Sequence, residues 1–282
     1  MSHRTTLIYY TDNYLKDPYL TMCQKALVDA ARGKPIISVS QKPLSFGNNI
    51  CVGDIGRTHL SLYRQMLLGG AAATTEFVAL AEHDCLYTPE HFDWIPRRAN
   101  VFYYNVHHYF VQGAGPHFGE YSWTKRRPLS QLIAGRDVFM EAITEKVWML
   151  EHGWMIRKGM AGACEPGTIP PEKAMVPVPV EHMMRADAPD FVNDYEPDDR
   201  VRALRVEPGV LDHKRLYLEA LNDFKDLGKE IGRWRAKGFT TTLPNLDIRT
   251  GQNFTGGKRP GNIRTHELPY WGRFEDVVKR YA

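Results

Sequence analysis

The run Phe77-Val-Ala-Leu-Ala-Glu-His-Asp-Cys-Leu-Tyr-Thr-Pro89 decides how the rest of the chain is read. Small and apolar residues from Phe77 to Ala81 lead without interruption into Glu82-His83-Asp84. An unbroken apolar run of this kind predicts a strand buried on both faces, as inside a parallel sheet. Acidic residues at the carboxyl end of such a strand stand where open α/β sheets bind ligands. Alternation along a strand puts Glu82 and Asp84 on one side and His83 on the other. Two converging carboxylates can hold a hard divalent cation, and the cation can hold phosphate oxygens. A solvated strand end capped by charges is the competing account.

Upstream, the chain repeats a strand–helix–strand rhythm. Thr6-Leu-Ile-Tyr-Tyr10 reads as a first strand ending at Thr11-Asp12-Asn13. A helix is expected from about Pro18 to Arg32, with Leu20, Cys23, Ala26, Leu27 and Ala30 on its apolar face and a stop at Gly33. Ile36-Ile-Ser-Val39 is a second short strand, and the helical run after Arg57 leads into Phe77. This order predicts a doubly wound, mixed but mostly parallel α/β sheet flanked by helices. Downstream, Pro89 to Pro96 reads as a short helical turn and Val101 to Val106 as another strand, followed by His107-His108. Gly113 to Arg127 reads as a long loop, and a helix is expected from about Asp137 to His152.

The composition is that of an ordinary soluble chain: 282 residues, 43% hydrophobic, 24% charged, with a formal net charge of +3. The mild positive charge suits an anionic nucleotide without indicating nucleic acid by itself. No apolar stretch reaches the roughly 18 residues a membrane span needs. Met-Ser-His-Arg-Thr-Thr lacks a secretion signal's apolar core, so the cytoplasm is the expected compartment. Cys23, Cys51, Cys85 and Cys164 are scattered, which argues against a zinc knuckle or a disulfide scaffold. Cys85, beside the acidic motif, reads as a small buried residue rather than a nucleophile.

The run from Phe77 to Asp84 resembles the DxD-type strand of GT-A fold glycosyltransferases, with Glu82-His83-Asp84 in the motif position. Gly56-Arg57-Thr58 and the following Leu60 to Leu67 resemble the segment that precedes that motif. Asn253 to Arg259 and His266 to Gly272 are similar to the tails of bacterial and viral, phage-type glycosyltransferase-like proteins. The resemblance covers the first half of the chain well and the last thirty residues loosely. It implies a GT-A, Rossmann-like fold and a nucleotide-sugar donor, with a UDP-sugar favoured. It also implies Mn2+ or Mg2+ bridging the donor diphosphate. That role falls on Asp84 and, with Glu replacing the first Asp, on Glu82. The resemblance further places Tyr9, Tyr10, Thr11 and Asp12 near the nucleotide, offers Asp137 and Glu141 as candidate bases, and gives His266 as a further metal ligand. For each of Tyr9, Tyr10, Thr11 and Asp12, a plain strand end with a turn-forming Asp-Asn pair is an equal alternative.

Other site residues come from the residue types themselves. Arg57, at a helix start, suits a diphosphate or a base edge. Of the histidine pair, His107 is assigned to the acceptor pocket, since neighbouring strand residues face opposite ways. Residues 1–158 are expected to form the catalytic domain. Residues 159–208, rich in proline, would be an extended connector, and 209–282 a helix plus a basic glycine-rich loop. From Leu211 to Lys237 apolar residues recur at helical spacing, with Lys225, Lys229, Arg233 and Lys237 on another face. Such a stripe can follow a phosphate backbone or simply be solvated, which leaves DNA as a candidate acceptor partner. The stretch from Asp247 to Gly261 reads as a flexible basic loop in which Lys258 and Arg259 would close over the diphosphate.

The expected activity is glycosyl transfer to a hydroxyl acceptor, with a hydroxymethylated DNA base as one candidate and a glycan or protein as the other. A nucleotidyltransferase shares the acidic strand end but would carry a glycine-rich loop after the first strand, which Tyr9-Tyr-Thr-Asp-Asn13 lacks. A non-catalytic sugar- or nucleic-acid-binding module is the third class.

Overall fold

In chain order, β1 (Thr5–Thr11), α1 (Tyr19–Ala31), β2 (Ile36–Ser40) and β3 (Asn48–Cys51) open the fold. They are followed by α2 (His59–Ala72), β4 (Phe77–Glu82), β5 (Cys85–Leu86), α3 (Pro89–Asp93), β6 (Val101–Asn105), β7 (His108–Gln112) and β8 (Tyr121–Trp123). A 3-10 turn (Leu129–Gln131) then leads into β9 (Leu132–Gly135) and α4 (Arg136–Glu151). The remaining elements are β10 (Trp154–Ile156), β11 (Met175–Pro177), β12 (Arg235–Phe239), β13 (Asn245–Arg249), β14 (Arg264–Thr265) and α5 (Phe274–Tyr281). This computed structural model describes residues 3–123, 127–151, 154–156, 165–166, 175–177, 235–251 and 264–281.

The main sheet has seven strands in the order β12-β6-β9-β4-β1-β2-β3. Pairings β1–β2, β1–β4, β2–β3 and β6–β12 are parallel, and β9 alone is reversed, antiparallel to β4 and β6. The expected mixed, mostly parallel sheet flanked by helices is therefore present. Its centre is the β1–β4 pair, in which Tyr9 stands beside Ala81 and Tyr10 beside Glu82. Every residue of β1 is buried, and so is β4 as far as Ala81. Alternate residues enter two cores. Ile8, Tyr10, Val78 and Leu80 pack with residues of α2 and α4, whereas Leu7, Tyr9, Ala79 and Ala81 pack with Leu27, Ala30 and Phe92. Each fully buried large side chain here contributes roughly 1.5–3 kcal/mol, which explains why so few polar residues interrupt the run.

Local chemistry fixes the helices. Thr58 caps α2: its hydroxyl accepts from the Ser61 N–H at 3.1 Å, and the Ser61 hydroxyl accepts from the Thr58 N–H at 2.8 Å. Gly69 lets α2 lie directly on the sheet, because a Cβ there would overlap the side chain of Ile8. Helix α1 buries Met22, Cys23, Ala26, Leu27, Ala30 and Ala31. It ends where Arg32 and Gly33 turn left-handed at φ 50° and 79°.

A second, five-stranded sheet in the order β14-β8-β7-β13-β5 stacks its apolar face on α1 and α5. Two sequence expectations change here. Gly113 to Arg127 is not one long loop, because Tyr121–Trp123 pairs antiparallel with β7. Asp247 does not begin a basic loop, because Asn245–Arg249 is a central strand between β7 and β5. The helix expected over 211–237 cannot reach its stated end, since Arg235 and Lys237 lie on edge strand β12. Lysine and arginine on an edge discourage further strand pairing. The rest of that helix, with Lys225, Lys229 and Arg233, lies outside the described residues, as does most of the 159–208 connector. β3 was missed because Asn48–Cys51 carries too little apolar character to announce a strand.

The two sheets meet over a buried polar seam. Asn245 accepts from the Thr88 N–H at 2.9 Å and donates to Gln131 at 2.7 Å. Asn105 donates to Thr241 at 2.9 Å and reaches His91 Nδ1 at 3.4 Å. His91 is wholly buried against Tyr87, Phe92 and Phe239. Burial, with a smaller contribution from His108, pushes its imidazole down to about 3. The folded state thus keeps His91 neutral while the unfolded chain protonates it below the ordinary histidine value near 6.5, so its stabilising contribution is lost as pH falls. Chemical denaturation should show the wild type losing about 1 kcal/mol more than a His91→Gln variant between pH 7 and pH 5.5. Parallel pH profiles for the two proteins would contradict this.

Candidate functional site

The parallel strands β1, β4 and β6 end on the same edge of the main sheet, where side chains need no longer be apolar. Strand β4 stops at Glu82, and His83-Asp84 form a tight turn into β5. The simple alternation expected through Asp84 therefore does not apply. Even so, ligand atoms of Glu82, Asp84 and Cys85 lie within 4.8 Å of one another. The turn holds because the Ile248 N–H donates to the Asp84 carbonyl oxygen at 2.8 Å. Asp84 is 7% exposed.

Two tyrosines set Glu82. The Tyr10 hydroxyl donates to Glu82 Oε1 at 2.5 Å, and the Glu82 N–H donates to the Tyr87 hydroxyl at 3.0 Å. Tyr87 in turn donates to the Ser130 carbonyl at 3.0 Å, which ties the tip of β4 to the turn before β9. Burial, then the charges of Asp84 and Asp247, raise the Glu82 carboxyl to about 8 against the opposing pull of Tyr10 and Arg249. A carboxyl so strongly perturbed, at a sheet edge beside further acids, marks a functional-site candidate.

Beside this tip, Asp12 follows directly on β1. Its carboxylate receives the Arg57 Nε–H at 2.5 Å and the Tyr14 N–H at 2.9 Å, and His83 Nδ1 stands 3.9 Å away. The Arg57 guanidinium lies 4.2 Å over the Tyr14 ring, and Tyr14 is half exposed. A planar cation and a half-exposed aromatic ring next to an acidic centre are groups that bind phosphate and stack on a base.

The other expected residues divide by position. Tyr9 is a core residue, packed edge-on to Phe46 and bonded through its hydroxyl to Gln24. Thr11 is buried, with its carbonyl held by Gln65. Tyr10 offers no open ring face and acts through its hydroxyl on Glu82. His107 stands at the edge that carries the acids, where its Nδ1 lies 2.8 Å from the Thr241 carbonyl. That bond makes Nδ1 a donor, so Nε2 is the proton-accepting nitrogen of the neutral ring. The partner histidine, His108, is fully buried. Lys258 and Arg259 lie outside the described residues.

Three expectations are corrected by topology. Because β9 runs antiparallel, with Gly135 opposite Phe77, the start of α4 falls at the far end of β4 from Glu82. Asp137 is there, with its side chain 99% exposed, and Glu141 is one turn further along an exposed face of α4. Neither stands at the acidic edge. His266 is exposed just after β14, which β8, β7 and β13 separate from β5. At about 4.8 Å per strand it is roughly 19 Å from the acidic tip and is not a ligand there. Trp271 is buried, with its indole N–H on the Pro244 carbonyl at 2.6 Å, so it anchors the tail.

Sequence reading missed Asp247 and Arg249 as site residues. Asp247 stands opposite Cys85 and bonds Arg249 at 2.9 Å. The signal was the alternation Asn-Leu-Asp-Ile-Arg, obscured by the glycine-rich run that follows it. The donor set fits Mn2+ or Mg2+, because carboxylate oxygens are hard ligands. Cys85 matches these hard ions less well, since its sulfur is soft, and burial, then Asp247 and Asp84, push its thiol well up.

No protein-family model matches the chain, and no curated protein matches its sequence. Among solved structures, a glycosyltransferase involved in glycosylating the major capsid of PBCV-1 aligns over 51% of this chain and 65% of its own, at 12% identity and TM-score 0.33. The bifunctional IspDF of Campylobacter jejuni aligns over 50% and 43%, at 17% identity and TM-score 0.32. A Drosophila β1,4-galactosyltransferase 7 mutant, in complex with manganese, UDP-Gal and xylobiose, aligns over 75% and 83%, at 9% identity and TM-score 0.32. The chain thus spans less than two thirds of the first two. Likeness at this level assigns no activity, and the chemistry has to come from the site itself. Among the described residues no helix is long and apolar enough to cross a membrane.

The thiol assignments are open to direct measurement. In a Cys164→Ser background at pH 7.5, iodoacetamide should label exposed Cys51 and leave buried Cys23 and Cys85 unmodified by mass spectrometry. Rapid labelling of Cys85 in the folded protein would return it to the set of ligands and nucleophiles.

Proposed function

We propose that the chain is a metal-dependent glycosyltransferase that moves a sugar from a nucleotide-sugar donor, a UDP-sugar by preference, to a hydroxyl acceptor. The observation that supports this reading best is the convergence of Glu82 and Asp84 at the tip of a central parallel strand, next to the Asp12–Arg57 pair just past the end of its neighbour. In this reading Asp84 and Glu82 would hold Mn2+ or Mg2+. When bound, the ion supplies Lewis-acid neutralisation of the departing diphosphate.

The chain's own residues account for the rest of the chemistry. Tyr10 fixes the orientation of Glu82, so that little reorganisation is needed on binding. Arg57, held by Asp12, reaches toward diphosphate oxygens, and the half-exposed Tyr14 ring stacks on the base. His107 carries a lone pair on Nε2 and serves as the base for the acceptor hydroxyl if the reaction inverts the anomeric centre. It replaces Asp137 and Glu141 in that role, because they stand at the other end of the sheet. Lys258 and Arg259 are proposed to close over the diphosphate. A hydroxymethylated base in DNA and a sugar on a glycan or protein are the acceptors to be compared, and hexose and pentose donors belong in the same panel.

Calorimetry with UDP tests the reading. The wild type should bind UDP with Mn2+ present and lose most of that binding in EDTA or in Asp84→Ala, while Arg57→Met should weaken it about tenfold. Mass spectrometry after incubation with nucleotide sugars, modified DNA and oligosaccharides identifies the acceptor. Equal UDP binding with and without metal would overturn the metal-dependent mechanism. Incorporation of nucleotide rather than sugar would make the protein a nucleotidyltransferase.

A further inference from the structure

Strand β13 brings a second pair of charges to the acidic tip. Leu246 and Ile248 enter the apolar core under α1 and α5. Alternation then puts Asn245, Asp247 and Arg249 on the opposite face, where Asn245 bonds Gln131 just before β9. Asp247 is 4% exposed. The Arg249 guanidinium is fixed from two sides, 2.9 Å from Asp247 and 4.1 Å over the ring of Phe110 on β7. It is a mostly buried cation on a rigid strand, set among the acids of two strands, Glu82 on β4 and Asp247 on β13, and of the β4–β5 turn, Asp84. Burial works against its charge, and the acids, Asp247 first and then Asp84, more than compensate, so its protonation is reinforced.

We propose that Arg249 is the charge-balancing residue of this centre: it lowers the affinity of the acids for a divalent cation alone and couples cation binding to arrival of the diphosphate. The inference rests on the metal-dependent reading above. A guanidinium near the carboxylates repels an incoming cation, so without an anionic ligand the two positive charges compete. A diphosphate reverses the sign of that interaction, because its oxygens accept from Arg249 while also meeting the ion. Cation and nucleotide then bind more tightly together than separately, a coupling that is reciprocal by linkage. Asp247 is the positioning partner that keeps the guanidinium over Phe110.

The test is Mn2+ binding to the full chain, alone and with saturating UDP, followed by calorimetry and by the electron paramagnetic resonance of free Mn2+. Arg249→Met should bind Mn2+ alone about tenfold more tightly than the wild type and lose most of the gain that UDP confers. Arg249→Lys should stay within about twofold for Mn2+ alone. A purely structural role would not do this, since loosening the site weakens ion binding. Unchanged or weaker Mn2+ affinity in Arg249→Met, with a native circular dichroism spectrum and melting midpoint, overturns the inference. If that variant fails to fold, the Asp247→Asn/Arg249→Met pair removes one charge of each sign. It should keep wild-type Mn2+ affinity and lose the UDP gain, and a retained gain counts against the proposal. Failure of the functional reading looks different: Asp84→Ala would then leave wild-type Mn2+ binding intact.

Discussion

The constraint on which the structure depends is the desolvation of acids where two sheets meet. Strand β4 is apolar and buried on both faces as far as Ala81, and its next residue is a carboxylate. Placing Glu82 there, with Asp84 and Asp247 nearby, sets like charges in a region of low dielectric, and such an arrangement stands only if partners are supplied. The fold supplies them from several directions. Tyr10 from β1 donates to Glu82, Tyr87 accepts from its backbone, and Arg249 from β13 meets Asp247. Each partner comes from an element with its own apolar anchor, so the core and the site are built by the same residues.

Tyr10 and Tyr87 show this economy directly. Both rings are buried in the cores that flank the main sheet, on opposite sides of it. Both hydroxyls nevertheless end at Glu82, one on the side chain and one on the backbone. A side chain that fills apolar space and carries a polar tip suits this boundary, because the ring stabilises the sheet while the hydroxyl satisfies the edge. Tyr87 also joins Glu82 to Ser130, so that the acidic tip is fastened to the reversed part of the sheet as well as to its parallel centre.

The parts legible in the sequence are those written locally. The apolar run of β4 announces a strand buried on both faces, Thr6 to Tyr10 announces a first strand, and Gly33 announces a helix end. What remained hidden depends on direction and register, which pair residues far apart in the chain. Nothing between Leu129 and Ala134 says that β9 runs backward, yet that reversal moves Asp137 from the acidic edge to the opposite one. Nothing around Arg264 says that three strands separate it from β5, which removes His266 from the acidic cluster. Conversely, Asp247 becomes a site residue only because β13 pairs with β5 across a long sequence separation. Short strands of this kind carry too few residues for their alternation to stand out against a neighbouring glycine-rich run.

Siting the charges on strands rather than on loops has a consequence for the chemistry. Asp247 and Arg249 cannot drift, because β13 lies between two neighbours and its alternate residues, Leu246 and Ile248, are fully buried. A loop can place a lysine near a phosphate, but it orders that lysine only at the moment of binding and loses conformational entropy in doing so. A strand has met that cost during folding, and it holds the guanidinium and the carboxylates at fixed separations before any ligand arrives. The penalty is burial of a carboxyl, with repulsion from Asp84 and Asp247 added to it, and both raise the Glu82 carboxyl. A cation held among these acids would offset their mutual repulsion, so the interactions that are costly within the fold are the ones that would make binding favourable.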